Sequence, residues 1–429
     1  MKTTYLLLCL LGIGSVSGAG QTKQPQKIGD FIESTSYNEH RRNATRSLQY
    51  TPDGDDFVCI NGKNRFTRAL YGSHTAFRLE TSDRPVFAAY TKENPKHICF
   101  KLQTSGGTVA LDSTEHCESG YTAGRRSYSL SDPAFGGGSL SITTWALPDK
   151  EGAIWQFNAR NFKEFHPVLL ASISEIRNSK LNRNGDMGAD PADSFEAPLQ
   201  PQQLQSFPVQ IDGTLYILLE NQELRTLTTA EGENLFKKAE AARSKTASRI
   251  RIETPDPYFN TLGGTLAMAA DGIWDGEVWL HGAIGWRMPL SGWRAAYTGD
   301  VLGWHDRART HFNAYAASQV TEVPNTLPHP AQDSALHLAR SVKKWGTPQY
   351  SNGYICRNPH RNNQMHHYDM NLCYIDELLW HFKWTGDLDY VRQMWPVITR
   401  HLAWEKLNYD PDNDGLYDAY ACIWASDAL

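Results

Sequence analysis

The sequence predicts a strand-rich first half followed by a helical second half, and three observations carry that expectation. Between residues 48 and 229, short runs of β-branched and aromatic residues alternate with Gly, Asp, Asn and Pro clusters. After Ile250, apolar residues recur at helical spacing instead. Eleven of the thirteen tryptophans fall in that second half, several of them in long loops, which marks it as the half that holds a site.

The strands are expected at Phe57–Ile60, Ala88–Tyr90, His97–Leu102, Thr108–Leu111, Leu140–Leu147, Ala153–Phe157, Val168–Ile173 and Leu215–Leu219. Turn signals such as Asn61-Gly62, Gly136-Gly-Gly138 and Asp212-Gly213 separate them, and many short strands at this spacing predict a β-sandwich over 48–229. Residues 230–250 read as a linker helix, with Leu235, Phe236, Ala239, Ala242 and Ala247 spaced among Glu, Lys and Arg. In 251–429 helices are expected at Tyr258–Ala270, Val301–Gln319, Asn371–Thr385 and Leu388–Leu407. The tight Gly386-Asp387 turn makes the last two an antiparallel hairpin. Loops 272–298 and 321–368 are long enough to be functional, and their aromatic content argues against disorder.

Lys2, the apolar run Tyr5–Ile13 and the small residues to Ala19 read as a secretory signal over 1–19, followed by a polar leader segment over 20–47. The protein is therefore expected to be secreted and periplasmic. No other segment approaches a membrane span. A net charge of −5 argues against a nucleic-acid partner bound through phosphates. Six cysteines outside the signal, with no C-x-x-C pair, fit neither a disulfide scaffold nor a zinc site.

Glycoside cleavage needs a carboxylic acid aimed at the leaving oxygen and a second carboxylate across the sugar. Asp427 is the first candidate for the acid, because Trp424 beside it would both raise its pKa and stack a sugar ring. The bland alternative is a helix-capping Asp. In the loop Gly285-Trp286-Arg287-Met-Pro-Leu-Ser-Gly292-Trp293-Arg294, a doubled Gly-Trp-Arg leads to Asp300. Trp286, Arg287, Trp293, Arg294 and Asp300 are candidates for the floor of a sugar site, against a purely structural Arg–Asp network. His366 and Asp369, in the polar run before the third helix, are candidates for sugar hydrogen bonding; the H-x-x-x-H spacing of a metal helix is missing there. Asp410, Asp412 and Asp414 match the front of a calcium loop, but its twelfth position falls on Ala421 rather than Glu. Calcium stays open there, beside a plain acidic turn, and no other cofactor is expected.

The order of strand-rich domain, linker helix and helix hairpins resembles the six-hairpin glycosidases, whose second domain is an (α/α)6 barrel. Asp412-Asn-Asp414-Gly-Leu-Tyr-Asp418-x-Tyr420-x-x-x-Trp424-x-x-Asp427 is similar to the acid-bearing loop of such β-glucosidases. There the Asp precedes the Trp, whereas Asp427 follows Trp424, so Asp418 stands beside Asp427 as a catalytic candidate. Region 48–229, including Leu70-Tyr-Gly-Ser-His-Thr-Ala-Phe-Arg-Leu79, resembles the domain-of-unknown-function 4450 family of secreted Bacteroidetes proteins. Together the resemblances imply a β-sandwich followed by an incomplete (α/α)6 barrel and a glycoside hydrolase acting on an oligo- or polysaccharide. Only four helices and the start of a fifth are read, so the remaining helices and the second carboxylate are expected beyond Leu429, and the chain alone is expected to be inactive. Two alternatives stand beside the hydrolase: a polysaccharide lyase using His366, Tyr368 and Arg294, and a non-catalytic carbohydrate-binding protein.

Overall fold

Apolar residues that alternate along the strands of the first half meet between two antiparallel sheets, as a computed structural model of the chain shows. The structure describes residues 50–63, 66–72, 77–90, 96–162, 167–175, 204–282, 288–292, 294–321, 352–360, 370–410 and 412–417. The eight-stranded sheet runs in the order Thr51–Asp53, Asp56–Ile60, His116–Thr122, Arg125–Ser131, Ser139–Ala146, Gly152–Arg160, Thr214–Glu220 and Glu223–Leu227. In the seven-stranded sheet the order is Leu204–Pro208, Val168–Glu175, Lys96–Thr104, Val86–Tyr90, Arg78–Ser82 and Phe66–Tyr71, with Gly107–Ala110 paired to Lys96–Thr104. Both inner faces contribute to one core, where Phe87, Phe100, Tyr128, Trp155 and Phe157 pack edge to face. Each of the eight runs expected to be strands matches a strand, Thr108–Leu111 and Leu140–Leu147 overrunning theirs by one residue, and Val86–Tyr90, buried on both faces, is the continuous apolar run such a strand requires.

Helix α1 (Thr229–Ala247) is the expected linker helix. It opens on a capping box in which the Thr228 hydroxyl accepts from the Glu231 N–H while the Glu231 carboxylate accepts from the Thr228 N–H. Its apolar stripe closes a second core against the outer face of the eight-stranded sheet, with Ala239 among Trp145, Leu147, Tyr216 and Leu218. Trp145 donates its indole N–H to Glu240, and Arg243 pairs with the same carboxylate.

Six helices follow among the described residues: α2 (Pro257–Asn260), α3 (Leu262–Gly272), α4 (Ala295–Val301), α5 (His305–Ala316), α6 (Met370–Thr385) and α7 (Leu388–Tyr409). The single helix expected at Tyr258–Ala270 is two, broken at Thr261, whose hydroxyl donates to the Tyr258 carbonyl. The helix expected from Val301 begins at His305, because Gly303 at φ 71° turns the chain first. The hairpin of α6 and α7 stands as expected, with Gly386 at φ 64° and Asp387 capping α7 through the Tyr390 N–H at 2.9 Å. No helix among the described residues is long and apolar enough to cross a membrane. Among the described residues, Cys59 and Cys117 are buried free thiols.

Candidate functional site

Just after α3 the chain is turned by its own polar side chains. Asp275 accepts from the N–H groups of Glu277 and Val278 at 3.0 and 2.7 Å, an Asx turn completed by Gly276 at φ 102°. The turn brings Trp274 against Trp279, ring centroids 4.6 Å apart, and lets Leu280 bridge Pro289. His360 pairs with Glu277 across the segment at 2.5 Å.

Beneath it lies a polar layer on α5 and α6. His311 Nδ1 accepts the Trp279 N–H at 3.2 Å, which leaves its proton on Nε2, facing the Ser291 carbonyl. Burial pushes the His311 pKa down to about 3. Tyr315, one turn on, is fully buried and its phenol is pushed well up by that burial. Glu377 on α6 is 1% exposed, and desolvation pushes its carboxyl far above the usual 4.5, with Asp376 adding to the rise and the Arg294 N–H and guanidinium offsetting only part of it. A carboxyl group kept as the neutral acid is what general acid catalysis requires, but this one sits under the loop rather than in the open. It lies beneath the Arg294 backbone.

Arg294 is where the segment turns into α4. It takes φ 64°, the left-handed region, and its side chain is exposed. For a non-glycine residue that conformation costs about 1–3 kcal/mol and recurs at ligand sites. Two residues earlier, Gly292 lies so close to α6 that a Cβ there would fall 1.9 Å from the Met370 carbonyl oxygen. The loop is thus pressed onto α6 on one side of Arg294, and α4 is tied down on the other, where Tyr297 donates to Asp376.

Asp300 lies near the C-terminal end of α4, buried, and its Oδ1 receives His305 Nδ1 at 2.8 Å and His381 Nδ1 at 2.9 Å. These three side chains could hold a cation, since their ligand atoms lie within 4.8 Å of one another. Metal-bound histidines usually donate their second N–H to an acceptor. His381 Nε2 has no such partner among the described residues, so the cluster fits a hydrogen-bonded junction of α4, α5 and α6 better. Asp410, Asp412 and Asp414 also converge within 4.8 Å. Asp410 ends α7 and accepts from the Gly415 N–H at 3.3 Å, and Asp414 accepts from the Leu416 N–H at 2.7 Å, so part of their capacity closes the turn itself.

Of the residues singled out from sequence, Arg294, Asp300, Asp410, Asp412 and Asp414 are therefore placed. Asp418, Asp427, Trp286, Arg287, Trp293, His366, Asp369 and Trp424 lie outside the described residues. Glu377, His311 and Tyr315 were not singled out, although a signal existed. Glu377 is the one acid on the stripe Tyr374, Leu378, His381 of an otherwise apolar helix face, and His311 and Tyr315 share a face of α5 at i, i+4 spacing.

Residues 95–253 match the family described as a domain of unknown function, DUF4450, which spans most of the strand region, α1 and the residues just after it. A comparison with curated proteins finds no match.

Proposed function

We propose that the protein is a secreted glycoside hydrolase, with the helices after α1 forming the first part of an (α/α)6 barrel. Arg294 carries the proposal: an exposed arginine held in a left-handed backbone, beside the Trp-bearing loop and above the buried Glu377 carboxyl. The fixed backbone sets where the side chain starts, and its guanidinium offers paired donors to a sugar diol or carboxylate. Asp427 or Asp418 would protonate the glycosidic oxygen while a second carboxylate activates water on the opposite face of the sugar. The 283–294 loop would line the sugar site with Trp286, Arg287 and Trp293.

Together with the remaining barrel helices, the protein should release reducing ends from one member of an oligosaccharide panel. Asp427→Asn or Asp418→Asn should then lower kcat by about 10²–10⁴-fold while glycan binding persists. Arg294→Ala should mainly raise KM, by about tenfold. Turnover retained by both Asn variants would sink the assignment of the acid. A product absorbing as an unsaturated uronate would move the protein to the lyases, and binding without any cleavage would make it a glycan-binding protein.

A further inference from the structure

A cleft of about 490 Å³ opens where α1 and the residues after it, α3 and α5 meet the strand region, away from Glu377 and Arg294. That volume is within the range of roughly 300–1,000 Å³ typical of small-ligand sites. Trp304, nearly buried, stands in its wall, with the Arg307 guanidinium 4.4 Å and the Arg249 guanidinium 4.9 Å from the indole centroid. Stacking on the indole fixes both guanidinium planes before any ligand arrives. Arg307 is bonded to Asp271 at 2.7 Å and Arg249 to the Leu302 carbonyl at 2.7 Å. Each contact occupies one of the five N–H donors a guanidinium carries. Lys245, exposed on the same wall, has no ion-pair partner among the described residues.

We propose that this cleft binds the acidic sugar of a glycan chain, its carboxylate or sulfate held by Lys245 and Arg249 with Arg307 beside them. The wall is not purely cationic: Asp306, exposed at the start of α5, and Asp271 also face the cleft. Carboxylates would repel a bare inorganic anion, but they are the acceptors that sugar hydroxyls need. Donors and acceptors mixed around a stacked indole therefore fit an anionic sugar better than phosphate or a lipid headgroup. The ligand class rests on the glycan reading above, whereas the position of the site rests on the cleft.

Calorimetric titration of the whole protein with galacturonate-, glucuronate- and sulfate-bearing oligosaccharides, with neutral methyl-ester or desulfated forms and with sodium sulfate, tests this. At least one acidic oligosaccharide should bind, its neutral form about tenfold more weakly or worse. Lys245→Gln should weaken binding while leaving the unfolding midpoint nearly unchanged; Arg249→Gln, which also loses the tie to the Leu302 carbonyl, should weaken binding at temperatures where the variant is still fully folded. No binding by any acidic oligosaccharide, equal binding of the neutral form, variants that bind as the parent does, or sulfate ions that bind as tightly as the sugar would each overturn the site. Because no turnover is read, a chain that binds acidic glycan here and cleaves nothing keeps this site while losing the hydrolase; cleavage without binding in the cleft does the reverse.

Discussion

Gly292→Ala is expected to lower the unfolding free energy by about 3 kcal/mol or more. The added Cβ would lie 1.9 Å from the Met370 carbonyl oxygen, 2.8 Å from the Tyr374 nitrogen and 2.9 Å from the Cys373 Cβ. Two of those atoms are backbone at the start of α6 and cannot rotate aside as the tip of a side chain would. Either α6 or the loop must move, and the loop carries Arg294. Gly386→Ala is the matched control: nothing lies within 4 Å of its Cβ, so only the left-handed φ of 64° is penalised, by about 1–2 kcal/mol. Urea unfolding followed by tryptophan fluorescence separates the two. A Gly292→Ala protein as stable as the Gly386→Ala protein would mean that the loop is not seated on α6.

The second large effect is a loss of stability in mild acid. Burial holds His311 at a pKa of about 3 and His97 at about 4, against 6.5 for an unhindered imidazole. Between those values the unfolded chain takes up protons that the folded chain refuses, so stability is lost as pH falls from about 6.5 towards the folded values. Together the two groups should remove about 4 kcal/mol between pH 7 and pH 5. Glu377 works in the opposite sense. Its raised pKa makes the folded chain the better proton binder above 4.5, so its contribution falls as pH rises from there and grows as pH drops back. Unfolding at pH 7 and pH 5 should therefore show a shallower pH dependence in His311→Gln, by about 2 kcal/mol, and a steeper one in Glu377→Gln. Identical pH dependence in parent and both variants would show that these groups titrate normally in the folded protein.

What was legible in the sequence follows the physics of each element. Strands with apolar alternation or continuous apolar runs could be read directly. His116–Thr122 and Arg125–Ser131 could not, because their inward positions include Ser119 and Arg126. Arg126 is fully buried, and its guanidinium donates to the Ser82 carbonyl at 2.7 Å and the Tyr50 hydroxyl at 2.8 Å, partners supplied from distant parts of the chain. The first four residues of seven-residue α4 fell in the stretch 272–298 read as loop, since two turns are too short for a period to register. At the site, the Trp- and Arg-bearing loop drew attention by composition. The buried groups that support it did not, because a Glu or a His on an apolar stripe declares itself only once its neighbours are known.

Helix α1 has a consequence for how the molecule comes apart. One of its faces completes the core over Trp145 and Tyr216, and Arg243 at its C-terminal half reaches the Ala123 carbonyl at 2.9 Å. Just beyond its end, Arg249 is fastened to the Leu302 carbonyl beside α4. Neither half can melt and leave this helix folded with both sets of contacts. Heat or denaturant therefore meets strand and helix regions as one cooperative unit, and a fragment ending before Thr228 would expose the indole of Trp145 to water.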